Sequence, residues 1–261
     1  MKGFSLYQSE ALVALKQLKD NTAAAVVSDL PYGTTQCTWD SIIPLELLWP
    51  ELKRVVKPGG AFVFTAAQPF TSVLVHSNIK QFRYDWTWVK QQGRNHLNAK
   101  IMPMRNKEDI LVFCDKTPVY HPQKRQGFQP YAKTHTRPQS QNIYGAHGSH
   151  RNPETKGERF PLQTLYFNTP ISPIHPTQKP IELMEYLILT HTNPNDIVLD
   201  CTMGSGQTML ACQNTNRRGI GIDNGYCRKK GSVYFGWPWK KVVIERLREN
   251  QRARGNLLWN Q

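Results

Sequence analysis

A glycine-rich turn between an apolar strand and a helix is the segment of this chain most suited to hold a ligand. It reads Asp200-Cys-Thr-Met-Gly-Ser-Gly206 and follows the apolar run 197–199. Glycines at such a turn let the backbone approach a ligand closely, and the following helix N-terminus offers amide donors. Asp223 ends the next apolar run, where its carboxylate could accept hydrogen bonds from ribose hydroxyls. The pattern favours a nucleoside-containing ligand over a purely structural turn followed by a surface aspartate.

A dinucleotide site is the nearest competitor for this turn. Its G-x-G-x-x-G fingerprint requires glycine at position 209, where the chain has Met209. A third small residue and a phosphate-binding lysine are also missing from the turn. A nucleoside without a pyrophosphate therefore fits the segment better.

A second apolar run ends in residues that suit amino-group chemistry. Residues 23–27 lead into Asp29-Leu-Pro-Tyr-Gly33. A carboxylate, backbone carbonyls and an aromatic ring can together accept the hydrogens of an amino group and stack on a planar base. The alternative is an aspartate that caps a turn beside a half-buried tyrosine. The tetrapeptide alone does not decide between the two.

The charge of the chain points to a polyanionic partner. In 261 residues, Lys and Arg outnumber Asp and Glu by 33 to 19, which gives a formal net charge of +14. A positive field of this size attracts nucleic acid, although a merely soluble basic protein has the same composition. The basic residues concentrate in 116–160 and 217–254, and this clustering favours nucleic acid.

Alternating helices and strands must position these motifs. The apolar patterning predicts helices over 11–18, 45–56, 181–189 and 242–250, with another after the glycine turn. It predicts strands over 23–27, 61–65, 84–89, 110–114, 197–199 and 217–222. Residues 116–170 are rich in Pro, Gln, His, Asn and basic side chains, and should pack on the main domain as loops and short strands.

Several classes of protein are disfavoured. The five cysteines are an odd number without a C-x-x-C pair, so we expect reduced, mostly buried thiols and neither a disulfide framework nor a metal site. His121, His135, His147 and His150 lack ligand spacing. No apolar stretch approaches the roughly 20 residues of a membrane span, and the N-terminus does not resemble a signal peptide. We expect a soluble, intracellular protein without a membrane partner.

Together the motifs resemble those of the amino-methylating DNA methyltransferases. That family has the catalytic tetrapeptide Asp/Asn/Ser-Pro-Pro-Tyr and a cofactor turn of the form Asp-x-Phe-x-Gly-x-Gly. His175-Pro-Thr-Gln-Lys-Pro180 is also highly typical of it, and Lys57-Pro-Gly-Gly60 and Glu108–Phe113 fall where the family has similar segments. The catalytic motif precedes the cofactor turn and a variable segment separates them, which is the permuted order of the β class.

The resemblance implies an α/β fold with a doubly wound, Rossmann-like methyltransferase sheet, mostly parallel with one antiparallel strand, and a basic, loop-rich insertion. It divides the chain into a catalytic part (1–115), a target-recognition insertion (116–170) and a cofactor-binding part (171–261) of the same domain. It implies S-adenosyl-L-methionine as cofactor and double-stranded DNA as partner, in the cytoplasm of a bacterial or phage-infected cell. A homodimer and a restriction endonuclease partner are left open.

The same resemblance assigns roles to the catalytic tetrapeptide. Asp29 would hold the target amino group, the carbonyl of Leu30 would take its other hydrogen, and Tyr32 would stack on the base, with Pro31 between them. Leu30 replaces the usual first proline, but it still provides a backbone carbonyl.

For the cofactor, the resemblance implies a set of contacts around the glycine turn. Asp200 opens the turn, Asp223 would take the ribose, and Glu10 would lie near the adenine unless it is only a solvated first-turn residue. The residues bordering the methionine end, its carboxylate included, would be Met203, Gly204, Gly206, Thr177 and Lys179. Met203 replaces the usual phenylalanine, and the segment 227–241 interrupts the helix that usually follows the ribose-binding acid, with its aromatic residues expected in the core.

The implied activity is methylation of adenine N6 in flipped-out bases of duplex DNA, read by the insertion, with Lys124, Arg125, Lys133 and Arg137 contacting DNA. Cytosine-N4 methylation is the main alternative, although those enzymes more often have serine in place of Asp29. An RNA or protein-glutamine methyltransferase would typically have its cofactor turn first. A non-catalytic nucleic-acid-binding protein on the same fold is the remaining alternative.

Overall fold

A computed structural model of the chain describes residues 3–35, 37, 40–130 and 156–258, with the backbone alone for 255–258. Its strands are β1 Phe4–Gln8, β2 Ala23–Ser28, β3 Val56–Ala66, β4 Phe82–Arg94, β5 Arg105–Phe113, β6 Thr164–Tyr166, β7 Ile197–Asp200 and β8 Arg218–Asp223. Its helices are α1 Ala11–Gln17, α2 Leu45–Val55, α3 Phe70–Ser77, α4 Ile181–His191, α5 Gln207–Asn214 and α6 Trp239–Leu258. Short 3₁₀ turns lie at Ile79–Gln81 and His96–Asn98.

The described strands form one sheet in the order β1-β8-β7-β2-β3-β5-β4-β6. β5 runs antiparallel to both of its neighbours, β3 and β4, and the other neighbouring strands are parallel. The expected doubly wound, mostly parallel sheet with one antiparallel strand is therefore confirmed. The predicted helices and strands are all present, but the patterning missed β1, α3 and the three-residue β6.

The sheet is buried on both faces because side chains alternate along each strand. In β3, Phe62 and Phe64 pack with α1 and α2 on one face, whereas Val63 packs with α4 on the other. Trp86 and Trp88, which alternate along β4, are buried in the second cluster. Helices on both faces leave the carboxyl ends of the parallel strands as the accessible edge.

The sheet order places a crevice between β2 and β7. These neighbouring strands run parallel, with Ala25 beside Val198 and Val26 beside Leu199. After β2 the chain continues to β3 on one side, and after β7 it continues to β8 on the other side. Loops that diverge in this way open a space at the carboxyl ends of the two strands, where α/β sheets bind ligands.

The structure separates into two compact units, one of residues 1–121 and 163–261 and one of residues 122–162. Within the smaller unit, the backbones of Arg125 and Arg159 pair with each other, and both guanidinium groups lie over the ring of Phe128. The functional division at 116 and 170 remains a prediction. In the described part of the chain, no helix is both long and apolar enough to cross a membrane.

Candidate active site

The two motifs line the same cavity, of about 580 Å³, at the carboxyl ends of β2, β7 and β8. This follows from the sheet order, since the tetrapeptide comes after β2 and the glycine turn after β7. The predicted catalytic and cofactor residues that line the cavity are Glu10, Asp29, Leu30, Pro31, Tyr32, Thr177, Lys179, Asp200, Met203, Gly204 and Asp223.

The Asp29 carboxylate is held from several sides. Its Oδ1 accepts hydrogen bonds from the hydroxyls of Tyr32 (2.8 Å) and Thr65. Its Oδ2 accepts one from the ammonium of Lys179 at 2.8 Å. Thr65 is in position because β3 lies beside β2 with Phe64 opposite Ser28. The orientation of the carboxylate is therefore set by Tyr32 of the same tetrapeptide and by two residues distant in sequence, Thr65 and Lys179.

Lys179 is buried and joins Asp29 to a second carboxylate. Its Nζ lies 3.2 Å from Oε2 of Glu108, whose Oε1 is paired with Lys90. Two carboxylates and two ammonium groups thus balance in charge beneath the cavity. The ammonium of Lys179 contacts Asp29 and Glu108, and its expected place near the cofactor carboxylate remains a prediction.

This pairing shifts the pKa values of Glu108 and Lys179. Burial opposes the charge of Glu108, but Lys179 and Lys90 outweigh it and hold its pKa below the ordinary value. Burial likewise opposes the charge of Lys179, and Asp29 and Glu108 together raise its pKa. Glu108 and Lys179 are therefore both charged at neutral pH, each stabilised by its partners.

Tyr32 lies on the wall of the cavity with its hydroxyl on Asp29. Its ring packs against Phe70 with centroids 5.4 Å apart and an interplanar angle of 21°. Burial, followed by the negative charges of Asp29 and Glu108, raises its pKa well above the ordinary value. Tyr32 is therefore a neutral hydrogen-bond donor whose ring has one face against Phe70.

Asp200 ties the ends of β7 and β2 together. Its Oδ1 accepts from the hydroxyl of Ser28 (2.7 Å) and from the amide of Thr202 (3.1 Å). The hydroxyl of Thr202 in turn donates to the carbonyl of Asp29 at 2.9 Å. Burial raises the pKa of Asp200 to about 6 despite these hydrogen bonds. Its contacts in this structure fix the two loops relative to each other.

Asp223 closes the glycine turn from the neighbouring strand. Its two carboxylate oxygens accept from the amides of Gly204 (2.9 Å) and Gly225 (2.7 Å). Burial raises its pKa. The nearby Glu10 accepts a hydrogen bond from the side chain of Asn224. Two carboxylates thus reach the same end of the cavity, where the sequence predicted ribose and adenine contacts.

At Gly206, the space for a side chain is taken by α6 and not by the cavity. Gly206 is missing from the described residues that line the cavity, and its backbone has a φ of +81°. A Cβ at this position would lie 2.5 Å from a methyl carbon of Val243 in α6. The glycine is needed because α6 packs closely on the start of α5, whereas we expected it to border the ligand. Met203 and Gly204 do line the cavity, and their contact with the cofactor remains a prediction.

The His175–Pro180 segment forms the other wall of the cavity. The ring of His175 packs edge-on against Trp239, with centroids 5.4 Å apart, and its Nδ1 lies 3.1 Å from the hydroxyl of Thr177. Burial lowers the pKa of His175 to about 4, so the ring is neutral at physiological pH. This segment brings Lys179 to Asp29.

Two of the departures from the family pattern, Met203 and the segment 227–241, meet in one cluster. Met203 is buried together with Met209, Cys227 and Trp239 in the contact between the glycine turn, α5 and α6. Trp237 and Tyr234 pack against this cluster. The expectation that the aromatic residues of 227–241 belong to the core is confirmed for Trp239, whereas Phe235 is exposed.

The predicted DNA-contacting residues are only partly described. Lys124 is paired with Glu158 at 2.7 Å, and Arg125 donates to the carbonyl of Phe160 at 3.2 Å. Lys133 and Arg137 lie outside the described residues, as do His135, His147 and His150. No cluster of three or more metal-ligating side chains occurs among the residues that the structure describes. The described cysteines are free, and all except Cys37 are buried.

Sequence reasoning missed four residues of the site. Thr65 donates a hydrogen bond to Asp29, Glu108 contacts Lys179, and Lys90 is paired with Glu108. Asp40 accepts hydrogen bonds from the amides of Gly33, Thr34 and Thr35, which shapes the loop after the tetrapeptide. Among these four residues, only Glu108 had a sequence signal, because it begins the segment Glu108–Phe113 that resembles a segment of the family. Thr65 and Lys90 belong to strands whose order in the sheet the sequence does not reveal.

Fold and cavity define an α/β protein with a nucleoside-type site at the switch point of its sheet. A model of the N6/N4 DNA methylase family matches residues 24–230. The chain belongs to this family of DNA methyltransferases.

Relatives and solved structures agree with this assignment. The type II methyltransferase M.HpaI of Haemophilus parainfluenzae is 30% identical over 230 residues, 82% of this chain and 68% of the relative. M1.MboII of Moraxella bovis is 26% identical and covers 84% of this chain and 90% of its own. The structure of the M1.HpyAVI–SAM complex superposes with a TM-score of 0.59 at 25% identity, covering 94% of this chain and all (100%) of the other. The cytosine-N4-specific PvuII methyltransferase, at 14% identity and a TM-score of 0.61, shares the fold.

Proposed function

We propose that this chain transfers the methyl group of S-adenosyl-L-methionine to N6 of adenine in duplex DNA. The observation that carries the proposal is the Asp29 carboxylate, which lines the same cavity as the glycine turn and Asp223. An acceptor for an amino group and a cradle for a nucleoside cofactor are then within reach of each other.

The hydrogen-bond inventory of Asp29 supports an amino-group substrate. An ionised carboxylate has about four lone-pair sites. Tyr32, Thr65 and Lys179 engage three of them. The remaining site can accept one N–H of the target, and the Leu30 carbonyl can accept the other. Two acceptors favour a pyramidal nitrogen, whose lone pair then becomes available for in-line attack. Asp29 is also an acceptor within reach for the proton that the amine loses afterwards.

Described side chains around the cavity fit S-adenosyl-L-methionine. The volume of the cavity lies in the range of about 300–1,000 Å³ that is usual for small-molecule sites. Asp223 and Glu10 offer carboxylate oxygens to ribose and adenine, and Gly204 allows close approach at the turn. The bound cofactor supplies an electrophilic methyl group. Residues of the chain orient it and the target nitrogen and exclude water from the space between them.

Reaching this cavity requires the base to leave the duplex stack. Tyr32 then stacks on the base with the ring face opposite Phe70 and replaces part of the lost stacking. Basic residues of 116–170, including Lys124, Arg125, Lys133 and Arg137, contact the DNA, and this segment reads the sequence. Engagement of DNA by Lys124 competes with its exposed ion pair to Glu158, which costs little to break.

Cytosine N4 offers the same pair of N–H donors, so the chemistry of Asp29 alone does not choose the base. The choice of adenine depends on the family pattern, in which aspartate at this position goes mostly with adenine. We expect N6-methyladenine when duplex DNA is incubated with the protein and labelled cofactor, digested to nucleosides and analysed by mass spectrometry. N4-methylcytosine as the sole product would refute the adenine assignment, and label in RNA or protein alone would refute DNA as substrate.

A further inference from the structure

A hairpin formed by the end of β4 and the start of β5 extends beyond the edge of the sheet that carries the cavity. Arg94 of β4 pairs with Arg105 of β5, and residues 95–104 form the turn. The turn is held by its own backbone hydrogen bonds and begins at Asn95, whose φ of 69° is left-handed. It is therefore a structured projection with a defined tip.

Large apolar side chains are exposed on this tip. Leu97 is 86% exposed and Ile101 is 79% exposed, and Met102 and Met104 are exposed at 41% and 43%. Single exposed apolar residues are ordinary on protein surfaces, but a group of them on one projecting turn marks an interaction site.

Every charged residue of the hairpin from 94 to 107 is basic. The four residues are Arg94, Lys100, Arg105 and Lys107, and His96 lies beside them. An apolar tip with a basic rim complements a nucleic acid, whose stacked bases are apolar and whose backbone is anionic.

The hairpin is continuous with the residues beneath the cavity. Lys90 of β4 and Glu108 of β5 are paired, and Glu108 contacts Lys179, the partner of Asp29. Arg105 is three residues from Glu108, about 10 Å along the strand at 3.3 Å per residue. The tip thus projects from the same edge of the sheet at which the target base must enter.

We propose that this hairpin is the wedge that opens the duplex at the target base. Leu97 and Ile101 enter the stack beside the departing nucleotide, and Arg94, Lys100 and Arg105 contact the flanking phosphates. Inserted apolar side chains offset part of the free energy lost on unstacking. The proposal rests on the proposed function, since it supplies the step that delivers the base to Asp29.

A second copy of the chain is the competing occupant of an apolar tip. In a two-fold interface the same surface meets itself, so the basic rims of two hairpins would face each other. Like charges in such an interface are unfavourable, whereas phosphates neutralise them. Charge complementarity therefore favours DNA.

Substrate pairing provides the test. Once the methylated sequence has been mapped, the wild type and Leu97→Ala/Ile101→Ala are compared on a fully paired duplex and on one in which the target adenine faces an abasic site. The matched control is Ile79→Ala, because Ile79 is 64% exposed and precedes β4 at the end of the strand away from the hairpin.

On the paired duplex, kcat/KM of the double variant should fall about 10- to 100-fold, since unstacking a base step costs a few kcal/mol. On the abasic duplex its kcat/KM should equal that of the wild type, and Ile79→Ala should behave as wild type on both. With 2-aminopurine as the target base, the fluorescence increase on binding should be lost only in the double variant.

Equal loss on both substrates, or no loss on either, would overturn the wedge. Loss on both together with conversion of a dimer to a monomer would assign the tip to a second copy. Failure of the proposed function would already appear in the mapping step, as a wild type that methylates no adenine in duplex DNA, so the two failures are distinguishable.

Discussion

Nζ of Lys179 lies 2.8 Å from Oδ2 of Asp29, although 150 residues separate the two in the chain. One residue belongs to the tetrapeptide after β2, and the other to the segment before α4. Their contact links the two motifs through a charge pair, and Glu108 extends it to the antiparallel strand β5. The acceptor proposed for the target amine is thus part of a charge-balanced cluster.

Replacing Asp29 tests the acceptor itself. Asp29→Ala should retain cofactor binding. The activation free energy of methyl transfer should rise by about 2–4 kcal/mol or more, which is the usual effect of removing one polar group aimed at the reacting centre. Asp29→Asn keeps an acceptor oxygen and should retain a trace of activity. Calorimetry with the cofactor and single-turnover methylation separate the two effects. An Asp29→Ala enzyme with wild-type turnover would contradict the mechanism.

Lys179→Met tests whether the ammonium serves Asp29 or the cofactor. Because Lys179 helps to hold the pKa of Glu108 below its ordinary value, its removal should raise that pKa and move the acid limb of the pH–kcat profile to higher pH. Cofactor affinity should stay unchanged. The free energy of unfolding should fall by about 3 kcal/mol, since the partly buried carboxylates of Asp29 and Glu108 both lose their buried cationic partner.

Lys90→Met is the matched control for Lys179→Met. It removes the other cation on Glu108 but none on Asp29, so it should move the acid limb in the same direction with a smaller loss of kcat. Weaker cofactor binding in Lys179→Met with an unmoved pH profile would instead place the ammonium on the cofactor carboxylate.

Gly206→Ala tests the packing of α6 on the glycine turn. Positive φ and the contact with Val243 should together lower the free energy of unfolding by about 2–3 kcal/mol. The double variant Gly206→Ala/Val243→Ala should recover the part of the lost free energy of unfolding that comes from the clash. Val243→Ala alone completes the double-mutant cycle. Urea denaturation of the four proteins measures the coupling. Additive effects would refute the contact.

His191 predicts an acid-dependent loss of stability away from the site. It is buried beside Tyr84 and the carbonyl of Val119, and burial lowers its pKa from 6.5 to about 4. Below pH 6.5 the unfolded chain binds a proton that the folded chain resists, so stability is lost as pH falls from about 6.5 to about 4. The loss is at most about 3 kcal/mol for this group.

Denaturation at several pH values compares the wild type with His191→Gln. The variant should show a shallower fall of stability between pH 6.5 and pH 4, with a residual slope because the pKa of His175 is lowered to about 4 as well. Identical slopes in the two proteins would contradict the role of His191.

The sequence by itself determined the local elements and the residue types at their ends. Apolar runs located β2, β7 and β8, and Asp29, Gly204 and Asp223 followed from the chemistry at their carboxyl ends, because these signals are confined to a few consecutive residues. The resemblance to a family added the interpretation of the motif order as that of the β class and the expectation of a mostly parallel sheet with one antiparallel strand.

Only the tertiary structure decided which distant residues meet. Strand order brings Thr65 and Glu108 to the Asp29–Lys179 pair. The packing of α6 places Val243 against Gly206 and leaves no room there for a Cβ. The pairing of β4 with β5 makes their connection a projecting hairpin. None of these relations is encoded in local spacing, because each depends on the neighbour that packing assigns to a strand or helix. Local sequence predicted the parts of the site, and long-range packing decided their contacts.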